Sequence, residues 1–76
     1  MKDIDYGKVT LNLAQIMAEQ EVSINKLAFR AEMQRTQLKA YMKGQIERID
    51  LAVLSRLCYA LGCDITDLLT YNPPEE

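Results

Sequence analysis

The residues best suited to chemistry in this sequence are cationic side chains in the middle of the chain. Between residues 26 and 48 there are six lysines and arginines but only two glutamates. The rest of the chain carries three basic and nine acidic residues, so the overall net charge of −2 conceals a local balance of +4. A basic segment between acidic ones can present one positive surface, which is what binding to phosphate groups requires.

Other kinds of chemistry are poorly represented. The chain has no histidine, which removes the commonest metal ligand and general base, and we expect no enzyme activity, no metal and no cofactor. Two cysteines are too few for a disulfide framework, which favours a reducing cytoplasm. No apolar run approaches the ~20 residues of a membrane span, and the N-terminus lacks a signal core. We therefore expect no membrane contact, and no small-molecule ligand in so small a domain.

The elements that must position the basic side chains have the spacing of helices. The 76 residues suffice for one small domain, and both prolines lie near the end of the chain. A stapled helix start consists of an apolar residue, a polar N-cap and a second apolar residue four positions after the cap. The pattern occurs five times, with N-caps at Asn12, Ser23, Gln34, Asp50 and Asp64. Gly44 and Gly62 suit left-handed helix ends.

These signals predict a compact all-α bundle of five helices. The expected helices lie at about 13–20, 24–31, 35–42, 51–61 and 65–70. Asn12 and Gln15 have the spacing of a capping box, and each helix has an apolar stripe that would face the core, with Ile65, Leu68 and Leu69 in the fifth. We expect an N-terminal arm at 1–8, a folded domain at 9–71 and an acidic tail at 72–76.

The second and third predicted helices are close enough to form a helix-turn-helix. Only Glu32, Met33 and the cap separate them, and in that motif the second helix enters the DNA major groove. With Leu38 turned to the core, residues on the opposite side of the third helix would face outward. These are Thr36, Lys39, Ala40 and Lys43, with Arg35 at the first turn.

The outward side chains of the third predicted helix suit base edges. Arg35 can donate two hydrogen bonds to O6 and N7 of guanine, and Thr36 can bond several bases or a phosphate. Lys39 can reach a base or a phosphate, and the small Ala40 would permit close approach. The alternative interpretation is an ordinary solvated face, since charged runs usually serve solvation.

Residues around that helix suit the phosphate backbone. Lys43 and Arg48 lie farther along the chain, and Ser23 and Asn25 open the second predicted helix, whose N-terminus can accept a phosphate. Arg48 has an equally good alternative as the ion-pair partner of a helix end. The sequence thus predicts backbone contacts on both sides of the base-reading helix.

Three parts of the chain resemble a known family. They are the motif from Leu27 to Leu38, residues 42–44 together with 48–51, and residues 54–64 together with 67–71. Residues 9–71 look like a Cro/C1-type, lambda-repressor-like (XRE-type) helix-turn-helix domain of the small stand-alone bacterial or phage form. The resemblance implies a transcriptional regulator, acting as a repressor, that binds specific double-stranded DNA, commonly as a homodimer.

The resemblance also implies roles for individual positions. Those that match base-reading places are Gln34, Arg35, Thr36 and Lys39. Those that match backbone-contact places are Ser23, Asn25, Lys43 and Arg48. The sequence departs from the family at two positions: Glu32 occupies the turn where glycine is usual, and Gln34 replaces a Ser or Thr cap.

A second hypothesis is a protein-interaction module on the same fold, such as an antitoxin or a phage antirepression component. The acidic surface outside the motif and Glu32 within it favour this alternative. For self-association we expect a weak dimer through the C-terminal region. Apolar residues near the chain ends would form it or, alternatively, would simply cap the core; they are Ile4, Tyr6, Leu69 and Tyr71.

Overall fold

A computed structural model describes residues 4–75, in which five helices and two strands are present. The helices are α1 (Leu13–Gln20), α2 (Ile24–Ala31), α3 (Arg35–Lys43), α4 (Leu51–Leu61) and α5 (Ile65–Leu68). The strands are β1 (Lys8–Leu11) and β2 (Leu69–Asn72). Residues 1–3 of the predicted arm and residue 76 of the predicted tail lie outside the described residues. Within residues 4–75, every helix is too short or too polar to cross a membrane.

The helix starts follow the predicted pattern. All five predicted N-caps precede helices, and α1, α2 and α4 have the predicted bounds. The Ser23 hydroxyl accepts from the Lys26 N–H at 3.1 Å, and the Asp50 carboxylate accepts from the Ala52 N–H at 2.8 Å. Each bond satisfies a backbone donor that has no partner inside its helix.

Asn12 uses its side chain differently from the prediction. The expected capping box with Gln15 is wrong, because the Asn12 side chain makes no capping hydrogen bond. Its Nδ2 donates to the Asp67 carbonyl at 3.1 Å and to the Thr70 hydroxyl at 2.8 Å. Its backbone N–H donates to the Leu68 carbonyl at 2.8 Å. Asn12 therefore joins the start of α1 to the C-terminal segment.

The two strands make the all-α prediction incorrect. The fifth helix ends at Leu68 rather than residue 70, and β2 pairs antiparallel with β1. In this register Val9 lies opposite Tyr71 and Leu11 opposite Leu69. Valine, threonine and tyrosine favour strands, but a segment forms a stable strand only when a second strand is available to pair with it. That partner lies at the other end of the chain.

The core is built from one fully buried leucine of each helix. These residues are Leu13, Leu27, Leu38, Leu57 and Leu68. Burying such a side chain stabilises the folded state by about 1.5–3 kcal/mol. The prediction that Ile65 belongs to the core is wrong, because its side chain is 44% exposed at the start of the four-residue α5. Leu69 packs at the edge of the core, half-buried.

Two helices end at a left-handed residue that is not glycine. Glu21 has a φ of 56° and Glu32 a φ of 53°, whereas α3 ends at Gly44 with a φ of 69°. A side chain in this region crowds its own backbone. The departure at Glu32 noticed in the sequence therefore falls on a left-handed turn, and Glu21 repeats it.

We expect Glu21→Gly and Glu32→Gly each to raise the free energy of unfolding by about 0.5–1 kcal/mol, because glycine relieves the left-handed strain but gains freedom when unfolded. Thermal unfolding followed by circular dichroism should show an increase in Tm of about 2–8 °C. Gly44→Ala is the reverse control and should lower Tm, since nothing lies within 4 Å of the added methyl and only the φ is at issue. An unchanged Tm in all three variants would contradict the argument.

Candidate nucleic-acid interface

The turn between α2 and α3 sets the direction of α3. The Met33 N–H donates to the Ala28 carbonyl at 2.9 Å, and the Met33 side chain is buried. The side chains of Leu38 and Tyr41, on one side of α3, are buried in the core. The opposite side of α3 consequently faces solvent.

The exposed side of α3 is polar and basic. Its exposed side chains, together with that of its N-cap, are Gln34, Arg35, Thr36, Gln37, Lys39 and Lys43. Ala40 is half-buried, so it is less open than the centre of an outward face would be. The sequence-based prediction missed Gln37, although it lies about 100° from Leu38, as far around the helix as Lys39 on the other side. Its side-chain amide can form two hydrogen bonds with adenine, and this residue type could have identified Gln37 as a candidate base contact.

Asn25 and Arg35 are in direct contact. The Arg35 Nη1 donates to the Asn25 side-chain oxygen at 3.1 Å, which joins the first turn of α2 to the first turn of α3. A guanidinium group has five N–H donors, so this bond leaves others free for a ligand. Asn25 thus restricts the position of Arg35 without consuming its capacity to donate.

Ser23 caps α2 through its hydroxyl oxygen, which leaves the hydroxyl proton to donate outward. Lys43 is the last residue of α3 and Arg48 lies in the loop after it, and both are exposed. Eight residues at 1.5 Å each separate Arg35 from Lys43 by about 12 Å along the helix. Seven of the eight predicted residues therefore fall into two groups, one around the N-termini of α2 and α3 and one at the end of α3 and in the loop after it, and Lys39 lies midway between them. Glu32 is exposed in the turn between α2 and α3.

Two long side chains connect α4 to the helix-turn-helix and to α1. The Arg56 Nε donates to the Ala31 carbonyl at the end of α2, at 2.8 Å. The Gln20 amide donates to the Leu61 carbonyl at the end of α4, also at 2.8 Å. Both bonds satisfy carbonyl groups that a helix leaves unpaired at its C-terminus. The position of α2 is thereby fixed by polar contacts as well as by the core.

The two cysteines lie away from this surface, at the end of α4. Both are free and half-buried. Burial, followed by the neighbouring Cys58 thiol and Asp67 carboxylate, raises the pKa of the Cys63 thiol, which is therefore protonated at neutral pH. Among residues 4–75, no group of three or more metal-ligating side chains is placed to hold an ion.

Comparison with known proteins gives concordant results. The family model of the Cro/C1-type HTH DNA-binding domain matches residues 12–74. The uncharacterised HTH-type transcriptional regulator YozG of Bacillus subtilis (strain 168) is 26% identical over 68 residues, which span 90% of this chain and 81% of YozG. The crystal structure of the transcriptional regulator VanUg is similar over 97% of this chain and 100% of its own, with a TM-score of 0.69 and 18% identity. At that identity, the likeness to VanUg shows the fold alone.

We expect Arg56→Ala to lower the free energy of unfolding by about 1–2 kcal/mol, because it removes a charged donor from a half-buried carbonyl and strips apolar stem contacts. Urea unfolding measures the change. Arg30→Ala is the matched control, since Arg30 is exposed on α2, and it should change the midpoint little. Equal effects of the two substitutions would show that the bond to Ala31 contributes nothing specific.

Proposed function

Because this chain belongs to the family of Cro/C1-type helix-turn-helix DNA-binding domains, we propose that it regulates transcription by binding a specific double-stranded DNA sequence, with α3 in the major groove. The observation that carries the proposal is the exposed polar and basic face of α3, next to a buried face that holds the helix rigidly. Such a domain acts most simply as a repressor in the cytoplasm, by occluding the DNA that it covers. We propose no catalytic role and no cofactor.

The N-terminal half of α3 reads the bases. Arg35 addresses a guanine, and its bond to Asn25 supports this role because a restricted guanidinium loses less entropy on binding. Gln34, Thr36 and Lys39 contact neighbouring base edges or the adjacent phosphates. Asn25 acts as a positioning residue for Arg35 in addition to the backbone contact that the sequence predicts.

Residues at the two ends of this surface hold the phosphate backbone. Ser23 and Asn25 lie on one side of the base-reading residues, and Lys43 and Arg48 on the other. The positive charges of Lys43 and Arg48 supply affinity, and hydrogen bonds from all four side chains fix the register on DNA. Glu32 opposes the phosphates, so affinity depends on this small number of cations.

We also propose that the chain acts as a homodimer through the surface formed by its two ends. Apolar side chains there are strongly exposed: Tyr6 at 74%, Ile4 at 69% and Tyr71 at 60%. The Tyr71 hydroxyl donates to the Tyr6 carbonyl at 2.8 Å, which keeps the two aromatic residues together. Leu69 packs on the core and contributes less. Such a dimer would read two half-sites about one helical turn apart.

Selection of bound sites from a random duplex library at low salt tests base reading. We expect the native protein to enrich a motif and the Arg35→Ala, Lys39→Ala double variant to enrich none, although circular dichroism shows both to be folded at the temperature of the selection. Arg30→Ala, which removes a charge from α2 outside the proposed base contacts, should enrich the native motif. Two half-sites about ten base pairs apart would support the dimer. Failure of native and variant proteins alike to enrich any sequence would refute the proposed function.

The salt dependence of DNA binding tests the backbone contacts. We expect Lys43→Ala to reduce the slope of log affinity against log salt concentration by about 0.9, the value for one phosphate contact. The loss of affinity should be nearly the same for specific and random duplexes, because phosphate groups are the same in every DNA sequence. Arg30→Ala provides the comparison, with an unchanged slope. A Lys43→Ala slope equal to the native one would remove Lys43 from the backbone contacts.

A further inference from the structure

A groove runs along β1 on the side away from β2. Its volume is about 660 Å³. All four residues of β1 line it, whereas β2 contributes only Leu69. Since consecutive residues of a strand alternate between its two faces, a groove that meets all four follows the edge of the strand. The opposite wall is the end of α3 and the loop that leads to α4.

The edge of β1 in this groove is open to another strand. The described sheet has two strands, so β1 is paired on one side. The Asn12 N–H points toward the C-terminal segment and donates to the Leu68 carbonyl. Along an antiparallel strand, the N–H and C=O groups of successive residues point alternately to the two sides of the strand. Those of Val9 and Leu11 therefore point away from β2, toward the groove. They offer N–H and C=O groups in the arrangement that an added strand uses.

The floor of the groove is apolar and its rim is basic. The apolar residues that line it are Val9, Leu11, Met42, Ile46, Ile49 and Leu69. Around them stand Lys8, Lys43 and Arg48, against a single acidic side chain, Glu47. The apolar floor is unsuited to nucleic acid. A second copy pairing edge to edge would bring two basic rims together, which disfavours self-association here.

We propose that this groove binds an extended peptide segment of a partner protein, with alternating apolar and acidic residues, as a third strand on β1. The apolar side chains enter the floor, and the acidic ones face Lys8, Lys43 and Arg48. Lys43 and Arg48 are also phosphate contacts in the proposed function, so the bound segment and DNA compete for the same charges. The competition rests on the proposed function, whereas peptide binding does not.

Fluorescence anisotropy with a defined probe tests the groove. The probe is a labelled, end-blocked octapeptide that alternates glutamate and valine, and its matched control alternates lysine and valine. We expect saturable binding of the glutamate peptide alone. Lys8→Glu should weaken it by about threefold to tenfold, the range for reversal of one exposed ion pair. Lys26→Glu makes the same charge change outside the groove and should alter binding by less than about twofold.

Backbone methylation of the probe tests strand addition. In a bound strand, every second N–H group of the peptide faces β1 and the others face solvent. N-methylation of one set of alternate residues removes the N–H groups that face β1, and N-methylation of the other set removes those that face solvent. We expect one methylated peptide to lose binding and the other to keep it. Equal behaviour of the two, equal binding of the glutamate and lysine peptides, or no saturable binding at about 1 mM would overturn the proposal.

Two further measurements separate the causes of failure. Sedimentation of the native protein and of Lys8→Glu tests whether a second copy occupies the groove. If the native protein is a dimer that Lys8→Glu disrupts, and if that dimer does not bind the probe, a second copy is the occupant and the proposal is overturned. Unlabelled glutamate peptide should displace the native protein from its selected DNA. Peptide binding without any DNA binding would refute the proposed function and leave the groove standing, whereas DNA binding without peptide binding would refute the groove alone.

Discussion

The structure depends on a shared core to which each of five short helices contributes one fully buried leucine. The longest helix has 11 residues and the shortest four, and helices of this length are marginal in water by themselves. Their apolar faces stabilise them only when buried together. The orientation of α3 follows from this constraint, because burying Leu38 and Tyr41 determines which side chains of the helix reach solvent.

Polar contacts then fix how the elements sit on that core. Asn12 and Arg56 each reach a carbonyl group on a distant segment, at 3.1 Å and 2.8 Å. These bonds satisfy carbonyl groups near helix ends, where water would otherwise have to do so. The bond between Asn25 and Arg35 instead joins two exposed side chains, one from each helix of the helix-turn-helix. The helix-turn-helix is therefore held by its own turn, by α4 and by a side-chain pair between its two helices.

The two-stranded sheet gives the chain a feature that helices alone would lack. It closes the ends of the chain on each other and leaves one edge of β1 facing the loop after α3. Lys43 and Arg48 stand both at the end of the exposed α3 face and on the rim of that groove. The proposed DNA surface and the proposed peptide groove thus share two cations, which would couple the two kinds of binding.

Local sequence signals determined the helices. Apolar residues around a polar cap specify a helix start within a few positions, so Ser23, Asp50 and the other three caps were predictable, as was the helix-turn-helix itself. The exposed basic side chains of α3 followed from one buried leucine and the helical repeat. Tertiary structure alone decided the use of Asn12, the exposure of Ile65 and the pairing of Asn25 with Arg35. It also decided that residues 69–72 form a strand, because a strand exists only with its partner, and β1 lies at the opposite end of the chain.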